Sequence, residues 1–129
     1  MEKVGKIINQ VVLDTDCLIQ LEKGDLSVVK VLDGTDSLFI TSITVFEFAF
    51  GRSFDEEDNR LDEYNVIPFN EKDGLLSAKM LKELIRDGKE VEFRDVFIAS
   101  ICIDNKIPLL TRNIKHFERF REYGLRLVG

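Results

Sequence analysis

Residues 11–19 read VVLDTDCLI. The run VVL is continuously apolar, the pattern of a strand covered on both faces. It stops at Asp14, and Asp16 follows two positions later. Leu18, Ile19 and Leu21 then recur at helical spacing as far as Lys23-Gly24, where a helix would end. A buried strand that closes on a carboxylate and turns straight into a helix suits a parallel α/β sheet. Three further stretches join apolar runs to polar termini in related ways. LFITSITVFEFAFG at 38–51 passes from a strand into a helix that carries Glu47, with Ser42 or Thr44 as its cap. FRDVFIASICID at 93–104 is an apolar, buried helix opening on Asp95. IPLLTRNIKHF at 107–117 is an apolar run that stops at Thr111 and Asn113.

The rest of the chain fills in the alternation. Strands are expected at 8–13, 38–42, 64–69, 107–111 and 125–128. Leu26, Val28, Val29, Val31 and Leu32 suggest a helix stopped by Gly34. Pro68 favours the end or edge of its strand. Asn70 can cap a long helix over 71–86, whose Leu75, Leu76, Met80, Leu81, Leu84 and Ile85 share a face. A helix is expected at 114–122, and the polar stretch 52–63 reads as a short helix or loop. No repeat, low-complexity segment or linker interrupts the pattern, so residues 1–129 are expected to form one domain.

Composition narrows the function classes. The 129 residues are 44% hydrophobic and 33% charged, as in an ordinary globular protein with a real core. No apolar run approaches the ~20 residues of a membrane span. No secretory signal opens the chain. Cys17 and Cys102 lie inside apolar patterns and read as buried thiols of a cytoplasmic protein. No Cys/His spacing suits zinc. The net charge of −6 argues against broad nucleic-acid binding through phosphate neutralisation. The charge is unevenly spread, however. Residues 55–58 are all acidic, whereas 112–126 is basic.

In open α/β sheets ligands bind beyond the carboxyl ends of the strands. Asp14, Thr111 and Asn113 follow strands directly. Glu47 sits one turn into a helix, and Asp95 opens another. Several carboxylates gathered beside apolar sequence repel one another and are costly to bury. A hard divalent cation such as Mg²⁺ or Mn²⁺, which takes oxygen ligands, relieves both problems. Each residue also has a plainer reading. Asp14 and Asp95 alone are helix caps, and Glu47 alone is a solvated helix residue. The company they keep favours a site. Asp16 is balanced between a supporting acid and a surface acid, and Asn113 between a site residue and a cap. Arg112 and Lys115, close to Asn113, are more often solvated than substrate-binding, yet they are candidates for contact with a substrate phosphate. His116, the sole histidine, reads as a packing or surface residue.

Taken together, VVLDTDCLIQLEKGD (11–25), ITVFEFAFG (43–51), RDVFIASICIDNKIPLLTRNIKHFER (94–119) and YGLRLV (123–128) resemble the PIN-domain family, specifically its VapC-type toxins of type II toxin–antitoxin systems. The pieces stand in family order over nearly the whole chain. The resemblance implies a three-layer α/β/α fold with a central parallel sheet of about four or five strands. It implies an Mg²⁺- or Mn²⁺-dependent ribonuclease that leaves a 5′-phosphate and a 3′-hydroxyl. Asp14, Glu47 and Asp95 fall on the family's acidic positions as catalytic residues and metal ligands, and Thr111 supports them by hydrogen bonding. Asn113 occupies a fourth catalytic position that is often Asp, removing one negative charge. Asp16 stands where Ser or Asn is common. His116 falls near a position taken by Asp, Glu or His, and the segment from Gly51 to Tyr64 is short. A homodimer and a small VapB-type antitoxin are implied as partners. The antitoxin would lay an apolar helix in a groove and push a basic side chain toward the acids.

Two rivals remain. VVLDTD resembles the strand–DxD start of haloacid-dehalogenase-type phosphatases, but the hydroxyl-bearing residue at the end of that motif and the later Lys and Asp pair are missing. In that chemistry Glu47 would be idle. A degenerate PIN domain that only docks a partner is the other, and Asn113 is the feature that supports it.

Overall fold

The computed structural model describes residues 9–51 and 60–128. Four parallel strands, β1 (Gln10–Leu13), β2 (Ser37–Thr41), β3 (Asn65–Ile67) and β4 (Leu109–Leu110), lie in the order β3-β2-β1-β4. Helices α1 (Thr15–Glu22), α2 (Leu26–Leu32) and α3 (Ser42–Phe50) carry the chain outward to β3. Helices α4 (Glu71–Arg86) and α5 (Phe93–Asn105) bring it back to β4. Parallel strands need such crossovers, and a uniform right hand puts outward and returning helices on opposite faces.

Side-chain alternation along the strands divides the core accordingly. Val12 pairs in register with Phe39 and Leu109, and all three face a cluster with Met80, Leu84, Val96, Ile98 and Ala99. Val11, Leu13, Ile40 and Leu110 face the other way, onto Leu18, Val28, Leu32 and Phe48. This is the expected three-layer α/β/α arrangement. The apolar run VVL is fully buried because both of its faces are covered.

Local chemistry sets the helix starts. Asn70 and Asp73 form a reciprocal capping box at the head of α4, with bonds of 2.9 and 3.0 Å. The Ser77 and Ser100 hydroxyls share a 2.6 Å hydrogen bond between buried faces of α4 and α5. Helix α3 is capped by Thr41, whose hydroxyl accepts from the Thr44 amide at 3.1 Å. The expected cap was Ser42 or Thr44, but Thr41 is the last extended residue and so takes the role. Ser42 instead accepts from the Phe69 amide.

The C-terminal end is less regular than its sequence pattern. Helix α6 spans only Ile114–Phe117 and tightens into a 3-10 segment over Glu118–Tyr123. The expected strand at 125–128 shrinks to a single parallel bridge between Leu127 and Leu109. Beyond the left-handed turn at Gly124, the Leu109 amide donates to the Arg126 carbonyl and the Val128 amide to the Leu109 carbonyl, each at 2.9 Å. Part of the strand expected from residue 8, the acidic run 55–58 and most of the segment 52–63 lie outside the described residues. Among the described residues, no helix is long and apolar enough to cross a membrane. Both cysteines are free and buried, and burial, with help from Asp14 and Asp16, pushes the Cys17 thiol up to about 11.

Candidate active site

The sheet order reverses at β1, which pairs with β2 on one side and β4 on the other. The carboxyl ends of β1 and β4 therefore frame the crevice where ligands of such sheets bind. Asp14 emerges there and is only 4% exposed. Its Oδ1 accepts from the Thr15 amide at 2.8 Å, capping α1, while its Oδ2 accepts from the Thr111 hydroxyl at 2.9 Å. Thr111, just past β4, thus orients the carboxylate from the neighbouring strand. Asp95 lies in the first turn of α5 and is also 4% exposed. Glu47 reaches back from α3 and accepts from the Thr15 hydroxyl, which itself lies 3.0 Å from the hydroxyl of Thr44.

A residue the sequence did not single out joins these acids. Arg94 places its guanidinium among all three. Its Nη2 donates to Asp14 Oδ1 at 2.8 Å and to Glu47 Oε1 at 2.8 Å. Its Nε donates to Glu47 Oε2 and its Nη1 to Asp95 Oδ1. One positive charge thus faces three carboxylates, and the ionised cluster carries an excess of two negative charges.

The acids respond differently. Burial opposes ionisation of Glu47, but hydrogen bonds from Arg94 and Thr15 outweigh it and hold its pKa below the ordinary value. For Asp95 burial wins against Arg94, and Asp14 and Glu92 push the same way, so its pKa is raised. Arg94 is desolvated, yet its bonds to Glu47 and Asp14 raise its pKa still further. It is a permanent cation here.

The remaining candidates line the rim. Asp14, Thr15, Asp16, Ile19, Glu47, Arg94, Arg112 and Asn113 surround a cavity of about 720 Å³. Asp16 is half-exposed and faces Arg112 at 3.6 Å rather than the other carboxylates. Asn113 precedes α6 without a side-chain cap bond; its amide nitrogen lies 3.0 Å from His116 Nδ1. Its backbone amide donates to the Thr111 hydroxyl at 3.0 Å. His116 in turn stands 3.6 Å from Asp95 Oδ2, and the two residues line a second cavity with Glu92 and Arg119. Lys115 is exposed and is not among the lining residues.

The donor set tests whether a metal suits the site. Carboxylate oxygens from three elements, with excess negative charge, are what Mg²⁺ or Mn²⁺ requires. Yet among the described residues no three His, Cys, Asp or Glu side chains close tightly enough to hold an ion in this conformation. The guanidinium lies where they would meet. The chemistry fits, on condition that Arg94 gives way.

A parallel α/β sheet with an acid-walled crevice at its switch point is a ligand-binding architecture. A family model for the PIN domain matches residues 11–123, and the chain belongs to that family. It is 28% identical to Ribonuclease VapC1 of Methanocaldococcus jannaschii, over 98% of this chain and 92% of that protein. It is 30% identical to Ribonuclease VapC3 of the same organism, over 70% of this chain and 95% of that one. Among solved structures it is similar to VapBC2 from Rickettsia felis bound to a promoter DNA fragment. That match has a TM-score of 0.74 and 25% identity, over 92% of this chain and 96% of the other.

Proposed function

We propose that this chain is a divalent-metal-dependent endoribonuclease of the cytoplasm and the toxin of a VapBC-type pair. The observation that carries the proposal is the meeting of Asp14, Glu47 and Asp95 at the carboxyl edge of a PIN-domain sheet. Its relatives' names, Ribonuclease VapC1 and VapC3, give the reaction class. The haloacid-dehalogenase reading leaves Glu47 idle, whereas here it is tied to Thr15 and Arg94.

Asp14, Glu47 and Asp95 would hold Mg²⁺ or Mn²⁺. Bound there, the ion would lower the pKa of a water and stabilise charge developing on phosphate. The protein's own part is orientation. Thr111 and the Thr15 amide fix the Asp14 carboxylate, and Thr15 fixes Glu47. Arg112, on the wall of the cavity, would meet the RNA backbone. Attack of water on phosphorus with departure of the 3′ oxygen leaves a 5′-phosphate and a 3′-hydroxyl.

The test is cleavage of RNA by purified protein with Mg²⁺ or Mn²⁺, and with EDTA. Metal-dependent cleavage is the expected result. A partner that is bound while no RNA is cut under any metal would identify a degenerate PIN domain instead. The free protein is expected to be a dimer in light scattering. Its cleavage rate is expected to fall at least about tenfold on adding a matched antitoxin at saturation. A strict monomer whose rate the antitoxin leaves untouched would end the toxin assignment.

Asn113 offers a graded check. Asn113→Asp adds an anionic oxygen on the rim of the same cavity. The substitution is expected to tighten Mn²⁺ binding in calorimetry. Unchanged or weaker affinity would confine Asn113 to its contact with His116.

A further inference from the structure

Arg94 immediately precedes Asp95, yet its guanidinium spans three carboxylates, one just past β1, one on α3 and one on α5. It bonds the same oxygens that a divalent ion would need. An oxygen ligand sits ~2.0–2.1 Å from Mg²⁺. An Asp14 Oδ1 that holds Nη2 at 2.8 Å leaves no room for both on that side. The two cations are therefore exclusive in this conformer, on steric and on charge grounds. The exchange is also physically accessible. The Arg94 side chain is 28% exposed, lies on the cavity wall, and has a long flexible stem.

We infer that Arg94 is an internal counter-ion that occupies the metal position of the acid cluster, so that a divalent ion enters only by displacing its guanidinium into the cavity. The inference rests on the metal-dependent reading above and adds a step to it. In the metal-free protein Arg94 keeps three mutually repelling carboxylates together, so the ligands are already gathered when the ion arrives. It also opposes the ion, since every bond it makes must break for the ion to bind. Arg94 is thus a positioning residue with two opposed effects. It stabilises the metal-free fold and weakens metal affinity. Released, the guanidinium remains in the cavity beside Arg112, where a phosphodiester would lie.

Mn²⁺ calorimetry and thermal unfolding separate these effects, using purified wild type, Arg94→Gln and Arg94→Lys. Arg94→Gln is expected to bind Mn²⁺ about tenfold more tightly than wild type, the size of an ordinary coupling between competing ligands. In EDTA the same variant is expected to melt several degrees lower, with Mn²⁺ restoring most of the difference. Arg94→Lys keeps the charge without the planar fork, so its affinity should fall between the two. This variant carries the test if Arg94→Gln does not fold. Wild type binding Mn²⁺ while the variants bind it no more tightly would overturn the inference and leave the metal site standing. Failure of every protein to bind Mn²⁺ would overturn both.

Discussion

Asp14→Asn and Asp95→Asn are each expected to lower metal-dependent RNA cleavage by roughly a thousandfold, the upper range for loss of a principal electrostatic group. The fold should survive. Asparagine caps a helix about as well as aspartate, so the start of α1 is kept. The amide is nearly isosteric: its oxygen at the Oδ1 position keeps the cap on Thr15, and its NH2 at the Oδ2 position can donate to the Thr111 hydroxyl, which then accepts. What disappears is the anionic charge that a hard cation selects. Glu47→Gln should act in the same direction, and it also weakens a bond to Arg94. The measurement is initial cleavage rate in Mg²⁺ or Mn²⁺ beside a thermal melt of each variant. Full activity in any of the three would remove that carboxylate from the reaction.

The carboxylates were legible because each sits where a hydrophobic element stops or turns. VVL ends at Asp14, and Asp95 opens the apolar run of α5. A lone charge in such a place asks for an explanation. Glu47 was legible for a similar reason, flanked by Phe46 and Phe48 on a mostly apolar helix. Arg94 gave no such signal. An Arg beside an Asp at a helix start reads as a solvated pair. Nothing in its spacing shows that its side chain meets Asp14, eighty positions earlier in the chain. Thr15 was hidden likewise, since a hydroxyl after a capping Asp is unremarkable until Glu47 is seen above it. Asp16 was balanced between a supporting acid and a surface acid. The helical turn directs it toward Arg112. Element types were clear wherever burial on two faces left a continuous apolar run, as at β1. They blurred at the C-terminal end, where one residue of pairing is all that remains of the expected strand.

Phe117→Ala is expected to destabilise the protein by ~3–5 kcal/mol, the usual cost of truncating a buried aromatic side chain. Phe117 is fully buried, packs at 6.1 Å between ring centroids against Phe120, and belongs to the core cluster of Val12, Val96 and Leu109. Against a total stability of ~5–15 kcal/mol for an ordinary domain, that loss leaves little margin. Phe50→Ala is the control. Phe50 is 80% exposed and, among the described residues, stacks on Phe46, so its removal should change stability by less than ~0.5 kcal/mol. Urea unfolding of both variants is the measurement, with the slope unchanged and only the Phe117→Ala midpoint strongly lowered. Equal midpoints would mean that the cluster around Phe117 does not anchor the C-terminal segment. The two losses also separate in activity. Phe117 follows the stretch carrying Thr111 and Asn113, so cleavage in Phe117→Ala should fall in step with the folded fraction. Asp14→Asn, by contrast, should lose cleavage with its melt nearly unmoved, because its damage lies in charge rather than packing.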